Sequence, residues 1–372
     1  MKRNALLAAC CAALMAVPCF AAESKPDPKI QIAILIDTSS SMDGLINQTR
    51  EQLWKIVNTF ATAKRDGKRA KLELALYQYG NDSLSASNHY VQKMSDLTSN
   101  LDKVSEQLFA LRTNGGEEWC GAVIQHAMKE LEWSGNASDL KLIYIAGNEP
   151  FDQGPVAYRE IVKQAISRGI VVNTIHAGDQ ATGVSQKWQD AAKLADGAFL
   201  TIDQNRAVAR VDAPQDAELA KLNEQLNGTY IGFGAQGGEA MARQQAQDKN
   251  AQGMSAGSLA TRAAAKASAQ YNNADWDLVD AKKEGKKVAD MPVAALPAPM
   301  QAMAPAEREA FVEQKSAERA ELQAKIAKLA KDRDSYVSAE LKKQASKPGA
   351  KAMDEAVIES ATSKAKAANY EF

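Results

Sequence analysis

Apolar runs alternate with amphipathic stretches from Ile30 to Ile202, and beyond that point the strand-like runs nearly stop. Ile30–Ile36 (IQIAILI) is apolar almost throughout, the pattern of a central strand buried on both faces. It runs into Asp37–Asp43 (DTSSSMD), after which Ile46, Leu53, Val57 and Phe60 fall on one helical side. Leu72–Tyr79 reads as a second strand and His89–Met94 as an edge strand. Leu140–Ala146, Ile170–His176 and Ala198–Ile202 complete the set. Helical periodicity marks Leu101–Leu111, Trp119–Leu131, Val156–Ser167 and Ser185–Leu194. Strands alternating with helices of about 10–15 residues predict an α/β fold with a doubly wound, mainly parallel sheet.

The second half reads differently. A helical extension is expected over residues 213–290, beginning with Asp216–Leu226 and its Asn227-Gly228 stop. Trp276–Val279 is an isolated apolar cluster, expected to anchor this arm to the first domain. Residues 291–305 carry four prolines and predict a linker that continues no helix. Pro305, followed by Glu307 and Glu309, then opens a long helix over 306–346, ending near Pro348-Gly349. At 1.5 Å per residue it is a rod of about 60 Å. Leu322, Ile326, Leu329 and Tyr336 form one apolar seam, a coiled-coil-like pattern of fewer than the three or four heptads that make one secure. Residues 347–372 are left as a tail.

The first 22 residues change the setting. A basic start (MKRN), an apolar core and the Cys19-Phe20-Ala21 boundary predict a signal peptide over 1–21, and so a periplasmic or secreted protein. Leu7-Ala8-Ala9-Cys10 resembles a lipoprotein box, but the apolar run before it is too short for a signal core. No later run approaches the ~20 apolar residues of a transmembrane helix. Of four cysteines, only Cys120 follows the signal, and its apolar helical setting predicts a buried hydrophobe. The balance of 45 basic and 46 acidic side chains argues against a nucleic-acid partner, which needs a basic patch.

Candidate chemistry sits where the first strand ends. In an open parallel sheet, ligands bind outside the carboxyl ends of the strands. There Asp37, Ser39 and Ser41 form Asp-x-Ser-x-Ser, one carboxylate and two hydroxyls suited to Mg²⁺, Mn²⁺ or Ca²⁺. The competing reading is a helix cap, which explains one such residue rather than three in alternation. The histidines His89, His126 and His176 show no metal spacing.

With this turn in its strand–helix context, residues from about Lys29 to Asp203 resemble a von Willebrand factor type A (VWA) domain with its metal-ion-dependent adhesion site. The domain is drawn at 29–205. The resemblance implies a doubly wound sheet, a divalent metal, usually Mg²⁺, and a protein partner bound through a metal-bridged carboxylate. It also implies a threonine from a second loop and an aspartate after the fourth strand. Thr113 could be that threonine, while alignment on Gly121-Ala122-Val123 places Glu117 or Glu118 near it. The usual Thr-Asp-Gly is here Ala146-Gly147-Asn148, with Asn148, Glu149 and Asp152 close by. The expected metal ligands are therefore Asp37, Ser39, Ser41, Thr113 and Glu117, in a binding protein rather than an enzyme. Two alternatives stand beside it. One is a metal-dependent hydrolase using Glu117 or Glu149 to activate water; the other is an envelope structural protein whose domain binds no metal.

Overall fold

The computed structural model describes residues 26–203, 210–344 and 353–372. The expected signal peptide and the Pro348-Gly349 helix stop lie outside the described residues. In chain order the first domain holds β1 (Lys29–Asp37), α1 (Asp43–Phe60), a small hairpin of β2 (Lys64–Arg65) and β3 (Lys68–Arg69), β4 (Lys71–Tyr79) and β5 (Val91–Thr98). It continues with α2 (Leu101–Ala110), α3 (Cys120–Glu130), β6 (Leu140–Gly147), α4 (Tyr158–Ser167), β7 (Ile170–Ala177), α5 (Gln180–Ser185), α6 (Trp188–Leu194) and β8 (Phe199–Ile202). The main sheet runs β5-β4-β1-β6-β7-β8, parallel throughout except for β5, which pairs antiparallel at the edge. The expected mainly parallel, doubly wound α/β sheet is what forms.

The period of two along β1 builds both cores. Ile30, Ile32, Ile34 and Ile36 face one side, together with Leu72, Leu74, Leu142 and the apolar side of α1. Ala33 and Leu35 face the other, with Tyr77, Tyr79, Ile143 and Ile145 under α3, α4 and α6. Each isoleucine buried in this way contributes about 1.5–3 kcal/mol. Because both faces are covered, the central strands carry no polar alternation.

The helical half comprises α7 (Asp216–Asn227), α8 (Gly237–Met254), α9 (Ala256–Ala267), α10 (Leu278–Lys283), α11 (Ala298–Gln301), α12 (Pro305–Gln344) and α13 (Met353–Ala367). Within it Trp276 stacks on Tyr230 with ring centroids 5.8 Å apart, and both join the core on the α1 side of the sheet. The proline-rich stretch 291–305 forms short turns and α11, with Leu296 and Met300 buried beside Ile231, Leu278 and Val312. Along α12, Leu322 and Ile326 are buried while Tyr336 is exposed. Among the described residues no helix is long and apolar enough to cross a membrane.

Among the contacts that join the halves are two polar devices. The Gln270 side chain acts as a piece of backbone: its amide donates to Phe60 O (3.2 Å) and Ala70 O (2.8 Å), and its carbonyl accepts from Leu72 N (3.1 Å). Arg262, fully buried, donates to Asp102 Oδ1 (2.6 Å) on α2, to Asp248 Oδ1 (2.5 Å) on α8 and to Gln244 O (3.0 Å), and lies 4.5 Å over the Trp54 ring of α1. Burial alone would raise Asp248, but Lys266 and Arg262 outweigh it and hold the carboxyl well below its ordinary range. Lys266 shares that cluster, and burial pushes it down to about 8.

Replacing Arg262 with Ala leaves the buried Asp102 without its cation and Asp248 with Lys266 alone. The expected loss is about 3–5 kcal/mol, read from urea denaturation; a loss below about 1 kcal/mol would show that the guanidinium is not what joins the halves. A second expectation concerns the turn carrying Lys283, Lys286 and Lys287, which are exposed. Trypsin should cut there early, and the two fragments should still co-elute, because Leu296, Met300 and Val312 pack across the cut against Ile231 and Leu278. Fragments that separate on gel filtration would refute that packing.

Candidate metal centre

Asp37 is the last residue of β1, and the sheet order changes direction at this strand: β4 lies on one side and β6 on the other. The register sets Asp37 opposite Tyr79 and Ile36 opposite Ala146, so three strand ends meet at one place. Thr38 N then donates to Tyr79 O (2.9 Å), and the Thr38 hydroxyl turns into the sheet toward Gln78 Oε1 (3.3 Å). Ser39 O accepts from Met42 N (3.1 Å), closing the turn before α1. Met42 is the N-cap of α1 and no side chain caps that helix, so the serines are not engaged as caps.

Two glycines make room for the carboxylate. Gly80 adopts φ +74°, and a Cβ there would lie 2.8 Å from Glu118 Cγ and 3.0 Å from Asp37 Oδ1. A Cβ on Gly147 would lie 2.6 Å from the Tyr79 hydroxyl and 3.1 Å from Asp37 Oδ2. Only bare backbone fits at either position.

Asp37 is fully buried, and its Oδ1 accepts from Ser39 N (2.8 Å). Its Oδ2, the Ser39 hydroxyl and Asn148 Oδ1 are buried and have no hydrogen-bond partner. Buried polar atoms are normally satisfied, so three orphaned oxygens at one strand end are unusual. Burial, reinforced by the charges of Glu118 and Glu149, pushes Asp37 up to about 7, against the opposing effect of the Ser39 N–H and hydroxyl. Glu118 is raised for the same reasons, burial first and then Glu149 and Glu117, with the Ser39 hydroxyl again opposing. That hydroxyl thus faces both carboxylates without forming a well-aligned bond to either.

The remaining candidates are spread out. Ser41 is exposed, and its hydroxyl accepts from Asn148 Nδ2 (3.4 Å). Thr113 directs its hydroxyl to Asp43 Oδ1 (2.9 Å). Glu117 and Asp152 are exposed, whereas Glu118 is half-buried beside Asp37. Sequence reasoning placed Glu117 or Glu118 near the family threonine and counted Glu117 among the ligands. The structure separates them through Trp119, whose ring packs against His89 (5.8 Å) and Tyr90 (5.4 Å) and fixes the loop. The roles of Gly80 and Gly147 escaped it too, although the break in Tyr79-Gly80 after a long apolar strand was a usable signal. Cys120 is buried with its thiol 3.7 Å from the Tyr79 hydroxyl, and burial pushes the thiol up. His176 is buried against Trp188 and hydrogen-bonds with Gln186 (3.2 Å).

Among the described residues no group of three or more His, Cys, Asp or Glu is arranged to hold a metal ion. The set here is of another kind: oxygen from carboxylate, hydroxyl and amide. Such donors fit a hard divalent cation and no soft one, and the orphaned Asp37 and Ser39 oxygens are of the right chemistry to hold it.

Residues 31–202 match the family model of the von Willebrand factor type A domain. No curated protein matches the chain. Among solved structures, the chain is similar to proximal thread matrix protein 1 from the mussel byssus, solved with a zinc-occupied MIDAS motif. That match has 13% identity and a TM-score of 0.37, over 48% of this chain and 43% of that one. It is also similar to the VWA domain of SpRpn10, at 17% identity and TM-score 0.35, over 46% of this chain and 87% of that one. BatB from Bacteroides thetaiotaomicron matches at 14% identity and TM-score 0.36, over 47% and 90%. The chain spans less than half the length of the mussel proteins it matches. Sheet order, the Asp-x-Ser-x-Ser turn at the end of its central strand and the family match together make residues 31–202 a von Willebrand factor type A domain, continued by a helical C-terminal region.

Proposed function

We propose that this is an exported binding protein, not an enzyme, whose VWA domain holds a divalent cation and through it a carboxylate of a protein partner. The observation that carries the reading is the pair of buried, partnerless oxygens, Asp37 Oδ2 and Ser39 Oγ, at the carboxyl end of β1. Asp37 supplies the charge, Ser39 and Ser41 neutral oxygens, and Asn148 a further amide oxygen. A bound cation, Mg²⁺ or alternatively Mn²⁺ or Ca²⁺, supplies an electrophilic centre for an acidic side chain from outside. Export rests on the basic-then-apolar pattern of residues 1–22.

The reading assigns unequal weights to the candidate ligands. Asp37→Asn keeps the acceptor for Ser39 N while removing the charge, so it should abolish Mg²⁺ and Mn²⁺ binding in calorimetric titration with an unchanged circular dichroism spectrum. Thr113→Ala and Glu117→Gln should each weaken binding less than tenfold, because the first hydroxyl is engaged with Asp43 and the second side chain is exposed. A wild-type chain that takes up no divalent ion at millimolar concentration would end the adhesion-site reading.

A further inference from the structure

A cation that recruits a partner's carboxylate needs a coordination position the chain itself leaves free. Here a carboxylate of the chain already stands at the site. Glu118 Cγ and Asp37 Oδ1 both lie within 3.0 Å of the point a Gly80 Cβ would occupy, so the two side chains share one small space. Ser39, with its hydroxyl unbonded, faces both. Glu149 adds a third carboxylate close enough to act on each of them.

The loop leaves Glu118 little choice of direction. Trp119 is packed against His89 and Tyr90, and Cys120 is buried as the first residue of α3. Glu117, one residue earlier, points to solvent. Among the described residues no salt bridge neutralises Asp37, Glu118 or Glu149. Glu118 and Glu149 thus stand beside the orphaned Asp37 Oδ2 and Ser39 Oγ, and no salt bridge among the described residues balances the three carboxylates. Ligand charge count is what sets divalent affinity in all-oxygen sites, and each internal carboxylate lowers the charge left for an external one.

We propose that Glu118 is an internal stand-in for the partner's carboxylate, so that the chain closes its own adhesion site and a partner binds only by displacing Glu118. The inference rests on the adhesion-site reading and adds its regulation. It also names the partner chemistry: an acidic side chain presented in a geometry tight enough to outcompete a tethered glutamate, since free carboxylates compete against a very high effective concentration.

The test uses the full chain, Mn²⁺ as the probe ion, acetate as the probe carboxylate, and water-proton relaxation alongside calorimetry. Wild type should bind Mn²⁺ with a low relaxation enhancement that acetate leaves unchanged. Glu118→Gln, which preserves shape, should bind Mn²⁺ on the order of 10–100-fold more weakly. Its relaxation per bound ion should be higher, as water enters the vacated position, and acetate should then reduce it. Glu118→Asp, one methylene shorter, should fall between the two and guards against a folding artefact in the first variant. A Glu118→Gln protein that matches wild type in affinity and relaxation overturns the proposal while leaving the metal site standing. Wild type that binds no Mn²⁺, or binds it as well after Asp37→Asn, overturns the site itself and the proposal with it.

Discussion

An unpaired guanidinium buried in protein costs several kcal/mol, a large part of the margin by which a domain stays folded. Arg262 is fully buried, and its partners come from both halves of the chain: Asp102 and Trp54 from the first domain, Asp248 and Gln244 from the extension. Neither half can satisfy it alone. The planar fork of arginine suits this position, since two carboxylates and a carbonyl approach in different directions while an indole covers one face. The same solution recurs at Arg319, which is bonded to Asp277, Asp280 and Thr229 and lies 3.9 Å over the Tyr230 ring. The extension is thus organised by buried cations more than by a large apolar core of its own.

In the first domain the controlling constraint is register. With Asp37 opposite Tyr79 and Ile36 opposite Ala146, the residues next along from those pairs, Gly80 and Gly147, arrive at the same carboxylate. A slip of one residue would bring Tyr79 or Ala146 there instead and turn the isoleucines of β1 to the other face. The continuous apolar character of β1, β4 and β6 holds the register. The site inherits its geometry from the core, which is why a group as costly to bury as Asp37 is tolerated in it.

That dependence also explains what could be read from the sequence. β1, β4, β6 and β7 are mostly apolar runs, as burial on both faces requires, so they and the parallel sheet were legible. The Asp-x-Ser-x-Ser turn was legible because nothing else about a helix start requires it. The choice of Glu117 over Glu118 had no physical basis in the sequence, since neighbours of identical chemistry differ only in which one the packing of Trp119 turns inward. Arg262, Lys266 and Arg319 were invisible for a related reason: a charge on a helix reads as a solvated face until its partners, as distant in sequence as Asp102, are brought up to it. The buried face of α13 is equally quiet, resting on Val357, Ala361 and Ala365, residues too small to give a strong apolar stripe.

Yet α13 decides where the first domain ends. Its buried residues lie in the same core as Ile34 and Ile36, and Val357, Ile358 and Ala361 lie against Ile32 and Tyr144 on the sheet and Ile56 and Phe60 on α1. Beyond it Tyr370 donates to Lys29 O (2.6 Å) and accepts from Arg65 (2.8 Å), while Lys64 and Glu371 exchange backbone hydrogen bonds at 2.8 Å. The last residues of the chain therefore grip the start of β1 and the small hairpin of β2 and β3. A chain cut after β8 would leave Ile32, Ile34 and Ile36 short of their cover, and an exposed apolar patch on a central sheet is costly and prone to association. The family-matched segment is a structural unit by topology, but its apolar face is completed by residues some 150 positions further along. The extension is, on that physical ground, part of the domain's core.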